Sequence, residues 1–193
     1  MGRIIVSENV SLDGITQDPT GEEGYKFGGW FGQMPDDVRA EWGAIEYQEA
    51  LDAAALLLGR GTYSWFAKRW ADRPGEWADR LRAVPKYVVS STLEDATEWS
   101  NSSVLRGDVI EQVTTLKQAV DGDIVVYASG QLVQTLMEHD LVDELRLTTY
   151  PFVLGTGERL FRETSDQKPV RLVSTRTIAD YLVLLTYQPV RIA

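Results

Sequence analysis

Residues 123–127, DIVVY, are a short apolar run that ends in three small residues, Ala128, Ser129 and Gly130. Leu132, Val133, Leu136 and Met137 follow at once with helical spacing. A five-residue apolar run reads as a buried strand, and positions three and four apart read as one face of a helix. A strand that passes directly into a helix needs a sheet for the helix to pack on, so this unit points to an α/β architecture. The small residues leave the helix N-terminus open, with free N–H groups and partial positive charge and no large side chain in front.

The same order recurs along the chain. Residues 54–58 read as a buried strand ending at Gly59, Arg60, Gly61 and Thr62, with a helix expected from about Thr62. Residues 86–90 read as a strand ending in the hydroxyl cluster Ser90, Ser91 and Thr92. Helices are expected over 35–54, with Val38, Trp42, Ile45 and Leu51 on its apolar face, over 75–82, and after the N-cap Asp108. A first strand covers 3–8, and the segments 144–152, 170–177 and 181–189 read as strands, the last two a hairpin turning at Ala179 and Asp180. Helix-linked strands followed by antiparallel ones give a mixed sheet. Residues 11–33 are too long for a simple connection and carry six glycines, which suggests a functional or mobile loop.

Composition narrows the chemistry. A chain of 193 residues with 44% hydrophobic content suits one domain over 1–193. There is no cysteine, and the one histidine, His139, falls at a predicted helix end, so a thiolate nucleophile, a histidine triad and a metal site are not expected. The opening MGRIIVSENV is no signal peptide and no apolar run reaches membrane-spanning length, so a cytoplasmic protein is expected. Twenty-nine acidic against nineteen basic residues give a formal charge of −10, which argues against nucleic-acid binding. An anionic ligand would need a local basic pocket.

Three strand ends, at Gly59, Ser90 and Ala128, therefore fall where α/β sheets bind ligands, beyond the carboxyl ends of parallel strands. Neither GxGxxG nor GxxxxGK[ST] is present. The motifs SLDG (11–14), GGW (28–30), LLLGRGTY (56–63), KYVVSSTL (86–93), NSSVLRGD (101–108), YASGQLVQTL (127–136), LVDELRL (141–147) and PFVLGTGERLF (151–161) come in one order. In that order the chain resembles the dihydrofolate-reductase-like family, of the type of the C-terminal reductase domain of riboflavin biosynthesis (RibD).

The resemblance implies a three-layer fold, a central mixed sheet with helices on both faces and antiparallel C-terminal strands. It implies NADPH as cofactor and hydride transfer to a C=N or C=O bond of a small ring-containing substrate, pterin or pyrimidinone among the candidates; the alternative is a non-catalytic protein that binds or senses NADP. By position, Gly59, Arg60 and Thr62 would meet the adenosine phosphate end, Ser90 and Ser91 the 2′-phosphate, and Ala128, Ser129, Gly130, Gln131 and Leu132 the pyrophosphate. Backbone near Val10 and Ile15 would hold the nicotinamide carboxamide. The peptide between Ala128 and Ser129 is expected to be distorted or cis. Asp13 would orient the nicotinamide loop or substrate, or simply make a turn, and Trp30 with Phe31 would stack on a substrate ring. Asp36, Asp37 and Glu41 or a water are the open choices for a proton donor. Relatives of this kind commonly form homodimers.

Overall fold

The computed structural model describes residues 1–190. Eight strands form one mixed sheet: β1 (Arg3–Ser11), β2 (Ala55–Gly59), β3 (Lys86–Val89), β4 (Ser102–Leu105), β5 (Asp123–Tyr127), β6 (Glu144–Tyr150), β7 (Val170–Ile178) and β8 (Leu182–Pro189). Five helices join them: α1 (Asp36–Asp52), α2 (Arg60–Trp70), α3 (Glu76–Ala83), α4 (Val109–Ala119) and α5 (Gly130–Glu138). The strand order is β4-β3-β2-β5-β1-β6-β8-β7. Pairing is parallel from β4 to β6 and antiparallel where β8 joins β6 and β7.

Side chains alternate across a strand, and here the alternation sorts the core into two layers. Ile4 and Val6 of β1, Leu57 of β2 and Ile124 and Val126 of β5 pack with Val113 of α4 and Leu132, Val133 and Leu136 of α5. Their neighbours Ile5, Leu56, Leu58 and Val125 face the other way, onto Ala50 of α1, Tyr63 and Ala67 of α2 and Leu81 of α3. Both faces are thus covered, which is why β2 and β5 read as continuous apolar runs. A third cluster, of Trp30, Met34, Val38, Tyr150, Ile178 and Leu182, closes the antiparallel end.

Several local expectations differ from the structure. β1 runs to Ser11 rather than residue 8, because residues 5–11 pair along β6. β4 was not expected as a strand; only two of its four residues are strongly apolar, and it is held by pairing with β3. On α1, Leu51 is 42% exposed and not part of the buried face, whereas Glu49 and Ala50 are buried. The hairpin does turn at Ala179 and Asp180, both with positive φ, and Asp108 does cap α4 by accepting the Glu111 N–H at 2.9 Å. Among the described residues no helix is long and apolar enough to cross a membrane.

The 11–33 segment is internally braced. Asp18, 3% exposed, accepts the N–H groups of Glu23 at 3.1 Å and Tyr25 at 3.0 Å, so the loop winds around a buried carboxylate. Gly28 lies so close that a Cβ there would sit 2.5 Å from Asp18 Oδ2. Gly28→Ala should therefore lower stability by about 1–3 kcal/mol through overpacking, measured by urea unfolding; an unchanged midpoint would mean that the loop does not pack on Asp18.

Candidate functional site

The register of the central strands leaves an opening at their carboxyl ends. β2 and β5 pair only at Ala55–Ile124 and Leu56–Val125. Above that ladder the two strands are joined by the turns that follow them. The Gly59 N–H donates to Ser129 Oγ at 2.9 Å, and the Ser129 N–H donates to Thr62 Oγ1 at 3.0 Å. Ser129 Oγ–H in turn donates to the Tyr127 carbonyl at 3.0 Å. This reciprocal clasp sets the N-termini of α2 and α5 side by side, and neither helix has a side-chain cap.

To make the clasp, Ala128 and Ser129 both adopt left-handed backbone, φ 47° and 63°. No cis peptide occurs among the described residues, so the expected cis bond between them is corrected. Two consecutive left-handed residues turn the chain sharply enough to bring the Ser129 N–H onto Thr62 with a trans bond. A non-glycine residue in that region costs roughly 1 kcal/mol. The first main-chain bond of α5 runs from the Val133 N–H to the Ser129 carbonyl at 2.9 Å. The N–H groups of Gly130, Gln131 and Leu132 precede it without an acceptor among the described residues, and a Cβ on Gly130 would meet only open space.

These turns form the rim of a cleft of about 940 Å³. Its walls include Gly59, Arg60, Gly61 and Thr62 after β2, Ser90 and Ser91 after β3, and residues 127–132 after β5, so the sequence-nominated phosphate residues are brought together. From β3 to β1 there are three strand intervals, roughly 14 Å. Arg60 is exposed; its guanidinium donates to Thr92 Oγ1 at 3.1 Å and meets no carboxylate among the described residues. Ser90 Oγ accepts the N–H groups of Thr92 and Leu93, which leaves its own proton to donate. Glu22 reaches from the 11–33 loop to Trp65 Nε1 at 3.0 Å and to Arg69 on α2, tying the loop across the cleft mouth.

The other nominated residues lie elsewhere. Val10 and Ile15 are buried at 7% and 0%, the Ile15 carbonyl accepting the Ser11 N–H and the Ile15 N–H donating to Ser11 Oγ, and the cleft wall falls at their neighbours Ser7, Glu8, Asn9, Thr16 and Gln17. Trp30 is fully buried against Tyr150, its ring N–H donating to the Gln17 carbonyl at 3.2 Å; Phe31, not Trp30, lines the cleft. Stacking by Trp30 on a substrate is thereby corrected. Asp13 accepts from Ser11 Oγ at 2.7 Å and from the N–H groups of Leu154 and Gly155, which brace the SLDG turn against the LGTG turn and hold its carboxyl down at about 2. Asp36 and Asp37 are exposed at the start of α1, and Glu41 is engaged by Arg176 and the Ala179 N–H; none of the three lines the cleft.

The carboxyls that line the cleft, Glu8, Asp18, Glu23, Glu46 and Glu158, are not singled out by the sequence. Glu8 is 8% exposed on β1, and burial pushes its pKa up to about 8 against the modest help of the Asn9 N–H. Glu46 on α1 is half-buried and held well above the usual carboxylate range, by burial first and then by the charges of Glu49 and Glu8. Near Glu46, Arg146 binds Glu49 and Glu144 at 2.8 Å each.

Glu8 keeps its proton better folded, at about 8, than at its ordinary 4.5, so its contribution is full below about pH 4.5 and lost as pH rises to about 8. Glu8→Gln should flatten the fall of Tm across that window, followed by calorimetry; parallel curves for the two proteins would contradict a buried neutral carboxyl.

Comparison with known proteins agrees with this geometry. The family model of the RibD C-terminal domain matches residues 3–184. The YyaP protein of Bacillus subtilis (strain 168) is 29% identical over 191 residues, covering 96% of this chain and 94% of YyaP. Among solved structures, a pyrimidine reductase-like protein from Corynebacterium diphtheriae superposes with a TM-score of 0.69 at 14% identity, over 98% of this chain and 92% of that one. Dihydrofolate reductase from Enterococcus faecalis, complexed with NADP(H) and RAB-propyl, gives 0.57 at 13% identity, over 97% and 96%. These likenesses establish the dihydrofolate-reductase-like fold.

Proposed function

The chain belongs to the RibD C-terminal domain family, and on that premise we propose that it is an NADPH-dependent reductase acting on a C=N or C=O bond of a small ring-containing substrate, of pterin or pyrimidinone type. The observation that carries the reading is the pair of uncapped helix N-termini clasped side by side on one cleft. The free N–H groups of Gly130, Gln131 and Leu132 suit a pyrophosphate, since N-terminal donors and the helix dipole both favour anions. Thr62 and Ser129 do not bind it through the groups they use on each other; they hold the turn open.

Bound NADPH would supply the hydride, so the chain itself needs no nucleophile. Its residues have three tasks: to hold the phosphates, to align the reacting carbons and to limit water. Thr16 and Gln17 bring the 11–33 loop over the cleft, with Glu22 fastening it to α2. A second copy of the chain is the proposed partner for β7, an edge strand on which Val170, Leu172 and Val173 are 40–47% exposed.

Charge decides which nucleotide binds. The 2′-phosphate of NADPH is repelled at long range by a chain of net charge −10 unless a local cation holds it. Arg60 has no acidic partner among the described residues and stands beside the hydroxyls of Ser90 and Ser91. A charge-assisted hydrogen bond contributes roughly 1.5–3 kcal/mol, so Arg60→Ala should weaken NADPH binding about tenfold to a hundredfold and leave NADH nearly unchanged. Titration of both nucleotides against both proteins checks this, and equal weakening of the two would remove Arg60 from the 2′-phosphate.

A further inference from the structure

Resting on the reductase reading, we propose that the slot between α1 and α2 is the specificity pocket of the cleft and takes an uncharged, flat bicyclic nitrogen heterocycle that carries neither phosphate nor carboxylate. Three helices line it with paired side chains. Trp42 and Glu46 of α1, Phe66 and Trp70 of α2, and Trp77 and Leu81 of α3 all belong to the cleft wall, and the members of each pair stand one helical turn apart, on one face of their helix. Ser7 and Asn9 of β1 and Tyr127 of β5 supply the sheet side.

The slot is open toward the carboxyl ends of the strands, where α2 starts, and α3 ties the two helices together at their other ends. Arg80 donates to the Ala50 and Ala53 carbonyls at the end of α1, at 2.7 and 2.6 Å, and Arg82 donates to the Trp70 and Ala71 carbonyls at the end of α2, at 3.2 Å each. Trp77 of α3 then meets Trp70, with ring centroids 5.6 Å apart. Higher up, Phe66 lies nearly parallel to Tyr127 at 6.2 Å, and Trp42 is fixed by its ring N–H on Asn9 Oδ1 at 3.2 Å. Walls of this kind bury a flat ring and stack on it.

The polar groups of the slot suit the edge of such a ring. Ser7 is 8% exposed, and its hydroxyl has no hydrogen-bond partner among the described residues. Glu46 is the carboxyl of this wall, held well above the usual carboxylate range by burial and by the charges of Glu49 and Glu8. Both can bond a polar ring edge, and neither is a counter-charge for an anion.

The cations of the cleft are engaged elsewhere. Arg60 stands at the rim on Thr92, Arg159 donates to the Asp13 carbonyl, and Arg162, on a segment held to Gln134 of α5, pairs with Glu158 at 3.4 Å. Arg80 and Arg82 serve the helix ends, Arg146 serves Glu49 and Glu144, and Arg69 and Arg73 stack on Trp65 and Trp70 without lining the cleft. A phosphate or carboxylate in the slot would therefore face Glu46 and the negative faces of the rings with no guanidinium to meet it.

Titration calorimetry at neutral pH, without nucleotide, compares 6-methylpterin with pterin-6-carboxylate, which share the bicycle and differ in charge. The first should bind at least about tenfold more tightly. Phe66→Leu and Trp77→Leu should each weaken 6-methylpterin about tenfold, with the NADPH Kd and the circular dichroism spectrum unchanged, which separates lost stacking from lost folding. Glu46→Lys should strengthen pterin-6-carboxylate at least about tenfold. Equal binding of the two probes, tighter binding of the carboxylate or no binding of either would overturn the proposal, and so would folded Phe66→Leu and Trp77→Leu proteins that hold 6-methylpterin as the parent does. Each of these outcomes leaves the reductase reading standing. Failure of the parent to bind NADPH would sink that reading instead, and the order of the two pterins would still decide the slot.

Discussion

The structure turns on the mutual hydrogen bonding of Gly59, Thr62 and Ser129. Parallel strands in a twisted sheet diverge at their ends, and β2 and β5 share only two residue pairs. The Ser129 hydroxyl and N–H take over where the ladder stops, joining two strand-to-helix turns across 67 to 70 positions of sequence. Because both turns are fixed, the two helices that follow start together and face the same opening. Left-handed backbone at Ala128 and Ser129 is what this junction demands.

Around that junction the charges are unevenly shared. The protein is acidic overall, yet the rim after β2 and β3 offers hydroxyls and an arginine with no carboxylate partner among the described residues, while on β1 burial pushes the Glu8 carboxyl up to about 8. On the α1 face of the sheet Arg146 pairs with Glu49 and Glu144, and Glu46 is held well above the usual carboxylate range. Burial of a carboxyl costs free energy unless it is neutralised or paired, and here one group is paired and its neighbour neutral.

Much of the fold was legible because local signals were consistent. The β5 run, the small turn and the α5 stripe fall where the residues place them, and Asp108 caps α4 as its side chain allows. The phosphate side of the cleft was legible for the same reason, being built from consecutive residues at strand ends. What was not legible depends on distant contacts. Trp30 looks like a ring-stacking residue until Tyr150, 120 positions away, buries it. Asp13 serves as a brace only because the 154–155 turn comes to it. β4 carries little apolar sequence and exists through β3, and Glu8 becomes unusual only when β5 and β6 flank β1 and bury it.

The central claim, that one cleft holds the phosphates at the clasped helix ends and the nicotinamide along β1, is tested most directly by a crystal structure of the protein grown with NADPH. The account predicts pyrophosphate oxygens within hydrogen-bonding distance of the Gly130, Gln131 and Leu132 N–H groups, the 2′-phosphate on Arg60, and the nicotinamide ring along β1 next to Glu8. Density for the nucleotide outside this cleft, or inside it with the phosphates away from α5, would contradict it.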